Sequence, residues 1–242
     1  MNEIDDQTAT STQMPSVQTS ENASHPREKL VSQAALIIID VQQTFDRAEY
    51  WGRRNNSEAE KNIQWLVESW QERGLPIVMV THTSDRIEST FHPQHATSKL
   101  KPFLADVVPT IKITKTVNSA FYGTPDLARW LTGQNMDRIV LCGIQTNMCV
   151  ETTARMAGNL GFKTQVAIDA CHTFELKGDD GLMISAEQLT QVTAANLSEG
   201  EFASVESTAS IIGRLRTETR KAAALASLDF YCTRQTGSAS AC

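Results

Sequence analysis

The sequence predicts an α/β fold in which a mainly parallel β-sheet is covered on both faces by helices. Two observations predict this fold. Apolar segments rich in β-branched residues alternate along the chain with segments of helical periodicity, which is the arrangement of repeated βαβ units. The apolar segments also lack the in-out alternation of a strand with one wet face, so both faces of the sheet are expected to be buried.

Six strands are expected along the chain. The clearest is the run from Ala34 to Asp40 (AALIIID), which is apolar at every position before its final aspartate. The predicted strands are residues 34–40, 76–82, 111–115, 137–144, 162–169 and 201–205. Helical segments separate several of these strands, which favours a parallel sheet over an antiparallel one.

The helix between the first two strands is predicted at Glu58–Arg73. Its apolar residues follow the i, i+3, i+4, i+7 spacing of one helical face. These residues are Ile63, Leu66, Val67 and Trp70. Gly74 supplies a stop after this helix, and Pro76 prevents its continuation.

Two more helices are predicted further along the chain. Thr124 and Pro125 have the residue types of an N-cap and a first turn, for a helix that ends at Gly133. A longer helix is expected from about Asn147 to Leu160, with Gly161 after it.

The chain is expected to contain one folded domain between two tails. Residues 1–29 are rich in Ser, Thr, Gln and Asn, and bury too little apolar surface to offset the entropy of ordering, so they are predicted to be disordered. Residues 30–216 form the predicted domain. Residues 217–242 are expected to contain a C-terminal helix, within the Ala-rich segment 216–231, and a flexible tail at 233–242.

Composition argues against several classes of partner. The formal charge is −6, whereas phosphate binding requires clustered Lys and Arg, so nucleic acid is not an expected partner. No apolar run approaches the ~20 residues that cross a bilayer, so no membrane partner is expected. The acidic N-terminal segment lacks the apolar region of a secretory signal and the character of a mitochondrial transit peptide.

The cysteines favour a reducing, cytoplasmic setting. There are five of them, an odd number, and no C-x-x-C pair, so neither a disulfide framework nor a zinc-finger site is expected. The five are Cys142, Cys149, Cys171, Cys232 and Cys242. Any one of them is more often a small buried apolar residue than a catalytic one.

Reactive side chains stand at the ends of three predicted strands. Ligands of open α/β sheets bind outside the carboxyl ends of the strands, and Asp40, Lys115 and the segment that leads to Cys149 all lie there. Cys149 falls in the first turn of a helix, where the unpaired N–H groups and a nearby ammonium are expected to favour its thiolate. Asp40 is then a candidate general base and acid, and the N–H groups of the turn are candidate oxyanion donors.

Each of these residues also has a purely structural interpretation. Asp40 resembles the aspartate that ends a nucleotide-binding strand, but the phosphate loop that such a site requires is absent, and a capping role stays open. Lys115 alone would be a solvated lysine at a strand end. Cys149 alone would be a core residue on the face that carries Thr152, Thr153, Met156 and Leu160. Their joint placement is what favours a catalytic site.

The same segments resemble the isochorismatase-like cysteine hydrolase superfamily, whose members include nicotinamidases, N-carbamoylsarcosine amidases and ureidoacrylate-type amidohydrolases. The resemblance covers roughly residues 34–212. The matching segments are LIIIDVQ (36–42), KTVNSAFYGT (115–124), GIQTNMCVETTARMAGNLG (143–161), IDACHTF (168–174) and EFASVEST (201–208).

The resemblance implies a three-layer α/β/α sandwich around a six-stranded, Rossmann-like sheet. It implies that Asp40, Lys115 and Cys149 are the catalytic residues of a hydrolase that works through a thioester acyl-enzyme. It also implies a non-proline cis peptide at Ile144–Gln145 and an oxyanion hole formed by the N–H groups of Gln145 and Cys149. Members often assemble as dimers or tetramers, so a homo-oligomer is expected here.

Two departures from particular members narrow the expected chemistry. Nicotinamidases carry an Asp-x-His metal group after the second strand, and the spacing in THTSDRIESTFHPQH (81–95) differs from it. No metal or other cofactor is therefore expected, although a site at His82, His92 and His95 stays open. Isochorismatases proper cleave a vinyl ether without a nucleophilic cysteine, so Cys149 favours the cleavage of C–N bonds.

The expected partner is a small-molecule amide. The residues predicted to surround it lie near strand ends or in the following loops, since small-molecule pockets are mostly apolar with a few polar groups. They are Phe45, Trp51, His82, Asn118, Phe121, Tyr122 and Phe174. Two alternatives stay open, an ether or ester hydrolase and a non-catalytic ligand-binding protein of the same fold.

Overall fold

The computed structural model of the protein describes residues 34–221. The tails expected at 1–29 and 233–242 lie outside these residues, as does most of the helix expected at 216–231. The strands are β1 (Ala34–Ile39), β2 (Ile77–His82), β3 (Ile111–Lys115), β4 (Arg138–Ile144), β5 (Lys163–His172), β6 (Leu176–Lys177), β7 (Met183–Ile184) and β8 (Ser204–Glu206). The helices are α1 (Ala48–Trp51), α2 (Ala59–Gln71), α3 (Leu127–Gly133), α4 (Glu151–Asn159), α5 (Ala186–Glu199) and α6 (208–221).

A six-stranded sheet in the order β3-β2-β1-β4-β5-β8 forms the centre of the fold, and every neighbouring pair in it is parallel. All six residues of β1 are buried, which matches the apolar run that predicted a strand covered on both faces. Helices flank the sheet, so the predicted α/β/α fold is confirmed. β6 and β7 form a separate antiparallel hairpin.

The strand order reverses at β1, which pairs with β2 on one side and β4 on the other. Connections from these two central strands leave in opposite directions, which is the arrangement in which open α/β sheets form a ligand-binding crevice at the carboxyl ends of the strands. The residues that follow β1 and β4 therefore occupy the position where open α/β sheets bind ligands.

The start of α3 differs from the prediction. Asp126, and not Thr124, is the N-cap, because its carboxylate accepts a hydrogen bond from the N–H of Arg129 at 2.9 Å. Thr124 is instead paired to Thr114 by two backbone hydrogen bonds, and it precedes Pro125 through a cis peptide bond. Residue types alone could not distinguish two capping residues that stand so close together.

Several elements lay outside the predicted set. Helix α5 begins with a capping box, in which Ser185 and Gln188 exchange side-chain to backbone hydrogen bonds, and this S-x-x-Q signal was present in the sequence. Helix α6 buries Ile211, Ile212 and Leu215, so the predicted domain boundary at residue 216 falls inside a helix that packs on the core. Within residues 34–221, no helix combines the length and the apolar character that a membrane span requires.

Gly143 of β4 lies where no side chain fits against the neighbouring strand β1. Its φ is +128°, and a Cβ atom there would lie 2.1 Å from the carbonyl oxygen of Ile39 on the neighbouring strand. We expect Gly143→Ala to lower the free energy of unfolding by at least about 2 kcal/mol, because both the backbone angle and the contact exclude a side chain. Urea unfolding measures this change. Gly133→Ala is the control, since no atom lies within 4 Å of a Cβ at that position, and an equal loss in both variants would contradict the steric argument.

Candidate active site

Three reactive residues meet at the carboxyl edge of the sheet. Asp40 follows β1 directly and has a φ of 52°, in the left-handed region that aspartate tolerates better than most residues. Lys115 is the last residue of β3, and Cys149 lies in a π-helical turn, Thr146–Val150, between β4 and α4. The structure thus brings together the three residues that the sequence placed on one rim.

The ammonium of Lys115 is the centre of this group. Its Nζ lies 2.5 Å from Asp40 Oδ2, 3.4 Å from Cys149 Sγ and 3.3 Å from Nδ1 of His82. Lys115 and Asp40 are each 1% exposed and Cys149 is 9% exposed. An ion pair at this depth is held strongly in place, because either charge alone would be costly to bury.

The surroundings of Cys149 favour a protonated thiol over a thiolate. Its pKa is raised to about 12, and burial is the largest cause. The negative charge of Asp40 also raises this pKa, and its effect is larger than the opposite effect of the Lys115 ammonium. The expectation of a preformed thiolate at a helix start is therefore wrong. The turn does begin a helix. However, removing a Cys149 thiolate from water destabilises it more than the neighbouring Lys115 ammonium stabilises it.

Asp40 is suited to exchange a proton. Burial raises the pKa of its carboxyl group, against the opposing effect of Lys115. While Oδ2 accepts from Lys115, no residue between 34 and 221 hydrogen-bonds to the buried Oδ1. One reacting atom of each of Asp40, His82 and Cys149 lies within 4.8 Å of the others. The Asp40 carboxylate therefore lies beside a neutral thiol, and its Oδ1 is available to accept a hydrogen bond.

The turn before Cys149 has the backbone that the resemblance implied. The peptide bond between Ile144 and Gln145 is cis. The carbonyl oxygen of Gln145 accepts hydrogen bonds from the N–H groups of Met148 and Val150, each at 3.2 Å, which closes the turn around Cys149. An oxyanion role for the N–H groups of Gln145 and Cys149 stays a prediction.

Two predicted pocket residues contact the reactive group. Asn118 accepts a long hydrogen bond from the thiol, with 3.9 Å between its Oδ1 and Cys149 Sγ. His82 contacts Lys115 and is half-buried, and its pKa is lowered to about 4 by burial and by the neighbouring ammonium. Near neutral pH His82 is therefore an uncharged member of the site.

An aromatic wall, defined as Phe45, Trp51, Phe91 and Phe174, stands next to His82. The ring of Phe91 lies 4.8 Å from His82 and 5.5 Å from Phe45, while Phe45 and Trp51 both stack near Phe174 at 6.0 and 5.7 Å. Phe45, Trp51 and Phe174 are among the residues predicted to surround the substrate, and that role stays a prediction. Phe91 was not predicted, because it lies in the long connection between β2 and β3, nine residues after the end of β2.

Phe121 and Tyr122 do not join this wall in the described part of the chain. Both lie in a 3-10 turn, Ala120–Tyr122, whose start is capped by the hydroxyl of Ser119. The turn directs Phe121 into the core, where it stacks on Phe162 at 5.7 Å, and leaves Tyr122 70% exposed. A role for these two rings in surrounding the substrate stays a prediction.

Gln42 is a site residue to which sequence reasoning assigned no role, although it belongs to the DVQ segment. Its Nε2 donates to the carbonyl oxygens of His82 at 3.0 Å and Ser98 at 2.6 Å, and its Oε1 accepts from the N–H of His82 at 2.8 Å. The side chain continues the backbone pairing of β2 past the end of β1. It thereby fixes the position of His82.

A cluster of ion pairs around the buried Lys101 lies next to the turn that carries Phe45, and the sequence did not predict it. Lys101 is 4% exposed and donates to Asp46 at 2.6 Å and Glu60 at 2.7 Å, and Glu60 also accepts from Arg54 at 2.6 Å. Hydrogen bonds from Arg54 and Lys101 hold the pKa of Glu60 well below its usual value despite its burial. Asp46 ends the 3-10 turn that carries Phe45, so the cluster anchors the wall.

The histidine site left open by the sequence does not form. His95 Nε2 lies 2.7 Å from the carbonyl oxygen of Ile87, and within residues 34–221 the one group of three metal-type donors is Asp40, His82 and Cys149. The ammonium of Lys115 already contacts all three of these donors. A metal ion bound there would have to displace it.

Comparison with known proteins connects the chain to one family. Residues 34–196 match the model of the isochorismatase domain. The uncharacterized isochorismatase family protein YrdC of Bacillus subtilis (strain 168) is 39% identical over 178 residues, which cover 74% of this chain and 94% of that protein.

Solved structures agree with this relationship. An isochorismatase-family protein from Chromobacterium violaceum ATCC 12472 superposes with a TM-score of 0.73 at 35% identity, covering 77% of this chain and 95% of that one. The N-carbamoylsarcosine amidase of Thermoplasma acidophilum superposes with a TM-score of 0.56 at 19% identity, covering 73% and 96%, and supports the fold alone.

Proposed function

This chain belongs to the isochorismatase family of hydrolases, and from that premise we propose that it cleaves an amide- or carbamoyl-type C–N bond of a small molecule through a thioester on Cys149. One observation carries the proposal. A buried carboxylate, an ammonium and a thiol lie in mutual contact at the switch point of the sheet, with 2.5 Å from Lys115 to Asp40 and 3.4 Å from Lys115 to Cys149.

The first half of the proposed reaction forms the acyl-enzyme. Because the resting sulfur is a thiol, Asp40 removes its proton as the sulfur attacks the carbonyl carbon. The oxygen becomes an oxyanion, which the N–H groups of Gln145 and Cys149 are proposed to bind. Asp40 then gives the proton to the nitrogen, the C–N bond breaks, and a neutral amine or ammonia leaves.

The second half regenerates the thiol. A water molecule attacks the thioester carbon while Asp40 takes its proton, and the carbon–sulfur bond breaks to release the acid. The proton on Asp40 returns to the sulfur. Lys115 keeps its charge throughout and stabilises in turn the carboxylate and the developing thiolate, both of which it contacts.

The surroundings of Cys149 favour an uncharged substrate with an apolar or aromatic substituent. The charges of Asp40 and Lys115 balance each other, and His82 is neutral near pH 7 because its pKa is about 4. The aromatic wall lies beyond His82, and its two partly exposed rings, Trp51 and Phe91, are proposed to contact a flat group of the substrate. Assembly as a dimer or tetramer and a cytoplasmic location stay predictions.

A substrate panel read by intact-protein mass tests the proposal. Amides, carbamoyl compounds, esters and a vinyl ether are each mixed with the protein, which is then quenched in acid and weighed. We expect a mass increase equal to the acyl group, located on the Cys149 peptide, with an amide or carbamoyl substrate. Turnover of the vinyl ether alone, without an adduct, would favour the ether reaction, and no turnover of any class would favour a binding protein.

A further inference from the structure

The ammonium of Lys115 has as many acceptors as it has protons. Its three N–H groups face Asp40 Oδ2 at 2.5 Å, His82 Nδ1 at 3.3 Å and Cys149 Sγ at 3.4 Å. Lys115 is 1% exposed, so the loss of one of these acceptors would leave a buried N–H group without its partner. The nitrogen is therefore held at the meeting point of three acceptors, two of which take part in the proposed reaction.

The tautomer of His82 follows from this contact. An ammonium is a donor only, so Nδ1 must be the acceptor and Nε2 must carry the proton. The ionisable groups that face the ring are Lys115, Asp40 and Cys149. Burial and the Lys115 charge keep the ring neutral by lowering its pKa to about 4, so Nδ1 stays an acceptor at neutral pH.

The backbone of His82 is fixed independently of its ring. Gln42 binds the N–H of His82 at 2.8 Å and its carbonyl oxygen at 3.0 Å, and the same residue of β2 pairs with Lys115 of β3 in the sheet. The ring therefore starts from a backbone that is tied on two sides. This arrangement suits a group that must place one nitrogen accurately.

We propose that His82 is a positioning residue that holds the third N–H of Lys115 at its Nδ1, so that the ammonium stays directed at Asp40 and Cys149 during the reaction. The inference rests on the proposed function. When Asp40 takes the thiol proton and becomes neutral, its hold on the ammonium weakens. The contact with His82 does not change in that step, and it keeps the positive charge beside the sulfur as negative charge develops there.

Three substitutions at residue 82 test the position of the acceptor. Asparagine places Oδ1 where the histidine has Nδ1, glutamine places its oxygen nearer the Nε2 position, and leucine has a similar size and no acceptor. For His82→Leu and His82→Gln we expect kcat to fall about tenfold or more with KM changed less than about threefold, because a buried donor loses its partner. His82→Asn should retain kcat within about threefold of the original protein.

Alkylation of Cys149 by iodoacetamide gives a readout that needs no substrate. We expect the second-order rate constant to fall in His82→Leu and His82→Gln by about the same factor as kcat, and to be preserved in His82→Asn. If the leucine variant does not fold, by far-UV circular dichroism, the asparagine and glutamine variants decide the question.

The outcomes distinguish a failure of the positioning role of His82 from a failure of the proposed function. Equal losses in all three variants, or a change in KM alone, would overturn the proposal, because packing or substrate contact would then explain the role of His82. An original protein that hydrolyses nothing in the panel would refute the proposed function, whereas the alkylation rates would still decide whether His82 positions Lys115.

Discussion

Cys149→Ala is expected to abolish hydrolysis, by at least about 10⁴-fold in kcat, while the fold survives. Without the sulfur no thioester forms, and Asp40 and Lys115 have no nucleophile to assist. The residue is buried but its thiol makes only weak hydrogen bonds, at 3.4 Å with Lys115 and 3.9 Å with Asn118. Its loss should therefore cost about 1 kcal/mol of stability. Steady-state hydrolysis and urea unfolding measure the two effects.

Cys142→Ala is the matched control, because it removes a sulfur from a fully buried position of β4. It should retain hydrolysis and lose a similar amount of stability. Among the described cysteines Cys149 has surface exposed to reagents, at 9%, whereas Cys142 and Cys171 have none, so iodoacetamide should modify it before those two. Full activity in Cys149→Ala would end the case for a cysteine hydrolase.

Asp40→Asn is expected to change two rates in opposite directions. Hydrolysis should fall by about 10²- to 10⁴-fold, because the general base and acid is lost. Alkylation of Cys149 by iodoacetamide at pH 8 should become faster. After burial, the charge of Asp40 is the next largest cause of the raised pKa of Cys149, and asparagine removes that charge while Lys115 remains.

The same substitution should also lower stability. It leaves the buried ammonium of Lys115 without its counter-ion, a change that typically costs about 3–5 kcal/mol of stability. The loss is smaller to the extent that an ionised Cys149 takes over as the counter-ion. Both rates are therefore measured on protein whose fold is confirmed by circular dichroism. Asp106→Asn makes the same chemical change on an exposed side chain and should leave both rates unaltered. Slower alkylation together with slower hydrolysis in Asp40→Asn would contradict this expectation, because it would show that Asp40 also serves as the base when Cys149 attacks iodoacetamide.

The protonated thiol also changes how the site is understood. A preformed thiolate would leave Asp40 with no proton to take from the sulfur at the start of the reaction. With the pKa of Cys149 near 12 and the pKa of Asp40 raised by burial, the proton stays on sulfur until attack and then has a carboxylate ready to receive it. The proposed mechanism needs this shared proton, because the leaving nitrogen must be protonated.

Much of the fold was readable in the sequence because burial on both faces of a parallel sheet leaves a local signal. The apolar run of β1, the helical spacing of α2 and the strand of residues 111–115 were all predicted close to their observed limits. Helix α5, which was not predicted, buries fewer residues than α2, so its apolar pattern is weak. Its capping box is the clearer sequence signal of where the helix begins. The N-cap at Asp126 depended on the pairing of Thr124 with Thr114 of β3, a contact with another element that the residue types at the helix start do not encode.

The sequence by itself determined the edge of the sheet at which the reactive residues lie. Because the carboxyl ends of parallel strands meet at one edge, Asp40, Lys115 and the turn before Cys149 lie there however the side chains pack. Only the tertiary structure decided the charge state of Cys149, the place of His82 and Gln42, and which aromatic rings form the wall. Each of these depends on distance and on exclusion of water, because a pKa follows from burial and from neighbours a few ångströms away. Residues 40, 82, 115 and 149 are far apart in the chain, and their contacts exist only once the sheet has formed.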